Sequence, residues 1–420
     1  MNGVDGARLW SRLQRLAQLG AVPVELGGGV SRESYGSAHA EAVSLVAGWM
    51  RKAGLEAGVD AAGNLIGVWP GRDPGLPAIA LGSHLDTVPH GGAFDGALGV
   101  LAGLEAAQSL AERGERLRRP LAVLGFADEE GNHFGIGVLA AQLWCGDIPP
   151  ERYADIVDGG GRSLDAVLAA FAVPGVARVA RPPLAAYLEA HVEQGPVLDT
   201  EGRPAAAVEA IVGISRTTVR FAGQPNHAGT TPMHLRRDAL WGAAELALAV
   251  RDLARASDGR AVATVGVFEV GPGATNVVPG SATLRIELRA PEEARLAHLR
   301  AEVERLAAEA AARHGLGVTL DPWHLAAPAA MHPLVLRATQ EALADAGLPP
   351  FTMPSWAGHD AKVLAAHVPV GMLFVPSVGG ISHAPEEYTG PEHCAHAAAL
   401  LLHAARRVDA ALDAQEARSA

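Results

Sequence analysis

Apolar positions along this chain switch between two spacings, one suited to helices and one to strands. ARLWSRLQRLAQLG (7–20) and AHAEAVSLVAGWMRKAG (38–54) place apolar residues three and four apart and stop at glycine, so both predict helices. PAIALGSHLD (77–86) and PLAVLGFADEE (120–130) are short apolar runs that end in acids and, in the first, a histidine; both predict strands. Between them ALGVLAGLEAAQSLAERG (97–114) predicts a helix that is apolar on nearly every side at its start. Strand, loop, helix, strand is a βαβ unit, and in such sheets ligands sit beyond the carboxyl ends of the strands. The polar clusters GSHLDTVPHGGAFDGA (82–97) and ADEEG (127–131) fall at those ends.

From about residue 211 the pattern changes. GISRTTVRFAG (213–223), AVATVGVFEVG (261–271), SATLRIELRA (281–290) and GVTLDPW (317–323) predict strands. RRDALWGAAELALAVRDLA (236–254) predicts an amphipathic helix, and PEEARLAHLRAEVERLAAEAAARHG (291–315) a long one with Pro and two acids in its first turn. The order β-α-β-β-α-β is a split-βαβ sandwich, a unit in its own right. Helix, strand and helix patterns at 334–347, 368–376 and 391–412 then resume the earlier α/β theme. The expected organisation is one α/β domain, residues 1–210 and 329–420, interrupted by an inserted domain at 211–328. The GGG runs at 27–29 and 159–161 lack the Gly-Lys-Ser/Thr of a phosphate loop and predict turns.

Composition narrows the function. The net charge is -12 with dispersed acids, and no basic face is available for nucleic acid. The two cysteines, Cys145 and Cys394, are too far apart in sequence for a metal-type pair and too few for a disulfide scaffold, which fits a reducing compartment. No secretory signal pattern opens the sequence and no long uncharged apolar run occurs, so the expectation is a cytoplasmic protein without a membrane span.

The candidates for metal ligation are His84, Asp95, the pair Glu129–Glu130, His191 and His383. Each has an ordinary alternative, since the chain carries 17 histidines and acids at strand ends are commonly solvated. Position favours a site, because each follows a predicted strand. Imidazole and carboxylate together suit Zn²⁺, or Mn²⁺ and Co²⁺, and one aspartate can bridge two ions. The second glutamate of a pair can bind an ion while the first stays free as a base. Asp86, two positions after His84, is placed to fix that ring's tautomer. His90 is left as a loop residue.

GSHLDTVPHGGAFDGALGVLAGLE, ADEEGNHFGIG, HVEQGPVLD, GQPNHAGTTPM, TNVVPG, WAGHDA and GISHAPEE resemble, in order from about residue 40 to 410, the dinuclear-metal amidase family. That family contains N-carbamoyl-L-amino-acid hydrolases, allantoate amidohydrolases and N-carbamoyl-β-alanine amidohydrolases (β-alanine synthases), and is related more distantly to aminoacylases and zinc exopeptidases. The resemblance implies a zinc-exopeptidase-like α/β catalytic domain with an inserted ferredoxin-like lid, two divalent metal ions per chain, and a homodimer formed through the inserted domain. It implies His84 and His191 on one ion, Glu130 and His383 on the other, Asp95 between them, and Glu129 as general base. It assigns His227 to the scissile carbonyl, brought from the partner subunit's lid, Asn276 and Arg289 to the substrate carboxylate, and Gln194 to a further substrate contact. Outside the family, Arg289 reads as a salt-bridged strand residue, and Asn276 and His227 as turn residues.

The reaction implied is hydrolysis of an N-carbamoyl-L-amino acid to the amino acid, ammonia and CO₂. Allantoate, which also has a ureido group and a carboxylate, is the nearest competitor, ahead of N-acyl amino acids and dipeptides. A non-catalytic binding relative would be expected to lack a ligand or the base, and none is lacking. Asn132 and His133 stand where the family commonly has a small residue and an arginine, and Trp356 where it commonly has glycine. These departures bear on the substrate.

Overall fold

The most apolar stretches of the chain become its central strands. In the computed structural model, which describes residues 3–419, the strands Ala78–His84, Leu121–Phe126 and Val370–Val375 are buried at every position. Strands covered on both faces are typical of parallel sheets. These three and Leu184–Val192 run parallel: Ala78–His84 lies between Leu121–Phe126 and Leu184–Val192, and Val370–Val375 follows. Leu65–Trp69 and then Glu56–Val59 extend one side antiparallel, and Ala206–Ile211 runs antiparallel on the other. The mixed α/β architecture expected from the sequence is therefore present. The antiparallel strands were not expected, because they are short and alternate too little to stand out.

Chain order reverses between Ala78–His84 and Leu184–Val192, the point at which open α/β sheets leave a crevice at the strand carboxyl ends. Helix Ala97–Glu112 lies close to these strands because Gly99 has no side chain; a Cβ there would meet the Ala190 carbonyl at 2.2 Å. The closing helix runs over Pro391–Ser419, longer than its apolar pattern predicts. Its polar end is held by Arg118 and Arg119, whose guanidinium groups reach Asp413 at 2.8 and 2.5 Å.

The chain divides into two compact units, one formed by residues up to Glu209 and from Met331 onward, the other by Ala210–Ala330. The second has an antiparallel sheet in the order Gly317–Leu320, Gly213–Ala222, Ser281–Ala290, Val262–Gly271. Val219, Phe221, Leu284 and Leu288 point from it into a core shared with helices Ala239–Arg255 and Glu293–His314. The first helix starts three residues later than predicted, where the Asp238 side chain accepts from the Leu240 amide. Pro291 lies ahead of the second helix, not in its first turn. Among the described residues, no helix is long and apolar enough to cross a membrane.

Candidate metal and catalytic centre

His84 is the last residue of its strand, His191 the last but one of the neighbouring strand, and Glu129–Glu130 lie three and four residues beyond Phe126. Asp95 sits on the loop before helix Ala97–Glu112, and His383 follows Val370–Val375. Parallel strands carry all six to one end of the sheet. Their ligand atoms fall into three overlapping groups: His84, Asp95 and His191; Asp95, Glu130 and His383; and His84, Glu129 and Glu130. Asp95 is common to the first two.

The two inner imidazoles are oriented by backbone carbonyls. His84 Nδ1 lies 3.1 Å from the Asp86 carbonyl and His191 Nδ1 lies 2.9 Å from the Val192 carbonyl. Each Nδ1–H donates there, which turns Nε2 toward Asp95 Oδ1, at 3.2 Å for His84 and 3.1 Å for His191. The expected action of Asp86 on His84 thus comes from its main chain; its carboxylate is 3.6 Å from that nitrogen. The carboxylate accepts instead from the amides of Glu129 (3.3 Å) and Glu130 (3.1 Å), so one residue aligns both the histidine and the glutamate pair.

The electrostatics of the cluster suit a cation. Burial opposes charge on His191, but Asp95 outweighs burial and raises its pKa to about 9. His383 is raised to about 9, first by its hydrogen bond with Asp95. Burial pushes Glu130 up to about 7 and Glu129 well above the usual carboxylate range, with neighbouring carboxylates adding to both. Protons gather where negative charge is concentrated out of water. Asp95 Oδ1 is buried and accepts no hydrogen bond. An orphaned carboxylate oxygen facing two imidazole nitrogens, among further oxygen donors, fits a divalent ion of the zinc or manganese type.

The profile of peptidase family M20/M25/M40 matches residues 80–407. The chain belongs to this family. Its sequence is 39% identical over 412 residues to N-carbamoyl-L-amino acid amidohydrolase of Geobacillus stearothermophilus, covering 95% of this chain and 98% of that one. It is 34% identical over 376 residues to allantoate amidohydrolase of Escherichia coli (strain K12), covering 89% and 91%. Among solved structures, a hydantoinase/carbamoylase-family amidase from Burkholderia multivorans matches with a TM-score of 0.90 at 35% identity, over 97% of this chain and 98% of that one.

Within this M20 chain, Gln194 donates from Nε2 to Asp95 Oδ2 at 2.8 Å, which ties it to the acid as well as placing it at the site. His227, Asn276 and Arg289 all belong to the second unit. His227 and Asn276 meet on a short ribbon, Asn226–His227 paired with Val277–Val278, where the Asn276 carbonyl accepts from the Ala228 amide. His227 Nδ1 accepts from the amides of Gly229 and Thr230 at 3.0 and 3.2 Å, which leaves the ring proton on exposed Nε2. Arg289 donates from Nε to Glu287 Oε1 at 2.6 Å, and Glu287 also pairs with Arg216. Asn132 bonds the Thr87 carbonyl and Trp356 is half-buried beside strand Thr352–Ser355. His90 packs its loop through the Gly28 carbonyl and Ser31.

Two residues escaped the sequence reading. Glu387 accepts from the amides of Phe94 and Asp95, both at 3.0 Å, and from Ser382 at 2.6 Å, so it holds the Asp95 main chain. His359 is buried with its ring centroid 4.6 Å from that of His191, and its Nε2 lies 2.8 Å from Ser355 Oγ. Burial holds its pKa well below the ordinary histidine value, with His191 acting in the same direction. Both stand in motifs quoted above, GISHAPEE and WAGHDA; only their partners were hidden.

Proposed function

We propose that this chain is a metal-dependent amidohydrolase that cleaves the ureido C–N bond of an N-carbamoyl-L-amino acid, releasing ammonia, CO₂ and the amino acid. The observation that carries the reading is the pair of ligand groups sharing Asp95, with Glu129 beside them. His84 and His191 with Asp95 would hold one divalent ion, and Glu130 and His383 with Asp95 a second. Bound there, such ions would polarise the scissile carbonyl and make an attacking water more acidic.

The chain's own groups supply the rest. Glu129, not needed as a ligand, takes a proton from water at its carboxylate and returns it to the leaving nitrogen. His227 Nε2–H is available to donate to a carbonyl oxygen as negative charge develops there. Arg289, steadied through Nε by Glu287, offers a planar fork to the substrate carboxylate, with Asn276 and Gln194 as further polar contacts. We read the second unit as a ferredoxin-like lid and dimerisation domain, which supplies His227 to the other subunit's site in a homodimer. The relative of 39% identity, named for N-carbamoyl-L-amino acids, supports this substrate over allantoate.

An ammonia-release screen of the Mn²⁺-loaded protein tests the assignment. N-carbamoyl-L-amino acids should be turned over fastest, ahead of N-carbamoyl-β-alanine, allantoate and N-acyl amino acids. Release from allantoate alone would transfer the assignment to that substrate, and release from none would remove it.

A further inference from the structure

The loop after His84 and the loop that carries Glu129 and Glu130 both bond to one short segment, residues 30–34. Val30 and Gly91 exchange backbone hydrogen bonds, each 2.9 Å. The Thr87 amide donates to the Arg32 carbonyl at 3.2 Å, while the Thr87 hydroxyl donates to the Val30 carbonyl at 3.1 Å and accepts from the Arg32 amide at 2.9 Å. Ser34 Oγ accepts from the amide of Asp128, the residue before Glu129, at 2.6 Å. At the centre of the segment the Arg32 side chain is fully buried. Its Nε donates to the Leu85 carbonyl at 2.5 Å. Its Nη1 donates to the carbonyls of Leu19 and Leu16, at 3.0 and 3.3 Å, at the end of helix Gly6–Leu16. All of these acceptors are main-chain carbonyls, and the charge of Asp86 favours the cation from farther off.

Burying a guanidinium is costly unless its donors are met, and here they are met where two segments converge. Leu85 stands between His84 and Asp86. Its carbonyl belongs to the peptide that leads into Asp86, whose own carbonyl orients the His84 ring and whose carboxylate accepts from the Glu129 and Glu130 amides. We propose that Arg32 is a positioning residue for the metal centre, tying the peptide between Leu85 and Asp86 to the end of helix Gly6–Leu16. Arginine suits the task, because Nε and Nη1 lie in one rigid plane and serve two segments in fixed directions. Without this tie Asp86 can turn, and His84, Glu129 and Glu130 lose their alignment together. Thr87 and Ser34 extend the same hold to both loops.

The inference rests on the metal centre of the proposed function, so one arm of its test needs no metal. Co²⁺ affinity, by competition with a chelator, and the visible d–d spectrum of bound Co²⁺ are compared in wild type, Arg32→Met and Leu343→Ala. Hydrogen exchange over residues 85–91 is followed in the same proteins without metal. Arg32→Met keeps a long side chain but no donors. It should bind Co²⁺ at least about tenfold more weakly, with a shifted spectrum, and exchange faster over residues 85–91. Leu343→Ala opens a cavity on helix Pro333–Asp345, in the same core. It should lower the unfolding midpoint and keep the Co²⁺ affinity, spectrum and exchange of wild type. Wild-type affinity and spectrum in Arg32→Met, or the same defects in Leu343→Ala, overturn the proposal. If Arg32→Met does not fold, Thr87→Val replaces it, because it frees the Arg32 main chain from the loop and leaves the helix end untouched. Weaker Co²⁺ binding and faster exchange over 85–91 are then expected, with residues 6–16 as protected as in wild type; unchanged binding and exchange overturn the proposal. A wild type that takes up no Co²⁺ would remove the metal reading, and metal-free exchange would still decide the tie: faster in Arg32→Met supports it, equal overturns it.

Discussion

Gly96 has no side chain because His84 occupies the space one would need. Its φ is +60°, and a Cβ there would lie 2.4 Å from the imidazole. Gly96→Ala should displace the ring, with metal content by elemental analysis falling well below the wild-type value; equal metal content would show that the ring does not need this gap. Glu387→Ala leaves the Phe94 and Asp95 amides buried without acceptors, so unfolding stability should fall by roughly 2–4 kcal/mol in denaturant titration. An unchanged midpoint would show that other groups hold Asp95. These two residues differ in how legible they were. His84, Asp95 and the glutamate pair stand out because their residue types cluster within a few positions at strand ends. Glu387 acts on residues more than 290 positions away, and sequence spacing carries no trace of such a contact.

Elements were legible where one apolar period persisted. Ser281–Ala290 coincides with its predicted bounds, and helix Ala97–Glu112 ends two residues short of its prediction. The ribbon Asn226–His227 with Val277–Val278 was invisible, since two residues per strand cannot display a period. The end of the closing helix was missed for another reason: residues 413–419 have no apolar stripe, and ion pairs with Arg118 and Arg119 hold their start. Arg119→Ala should therefore raise hydrogen exchange over residues 409–416 while leaving the earlier turns of this helix protected. Unchanged exchange there would mean that the helix holds its end without this arginine.

For the whole molecule, the sequence conveyed a four-strand parallel core only through separate runs; their order in the sheet, and hence the crevice between Ala78–His84 and Leu184–Val192, came from the structure. Burying that core also buries titratable groups. His39 is fully buried, accepts from the Tyr35 amide at 3.2 Å, and has its pKa lowered by burial from 6.5 to about 4. The unfolded chain binds this proton more readily, so stability should fall as pH drops from about 6.5 to about 4, by about 3 kcal/mol for this residue. Urea midpoints at both ends of the window should differ less in His39→Asn than in wild type, and an equal difference would contradict the assignment. The proposed function turns on the role of Glu129, which moves the proton while other residues hold the metal. It is tested by ammonia release from an N-carbamoyl-L-amino acid by metal-replete Glu129→Gln. The expected kcat is at least about a hundredfold below wild type at unchanged metal content; wild-type turnover in that variant would rule out this role for Glu129.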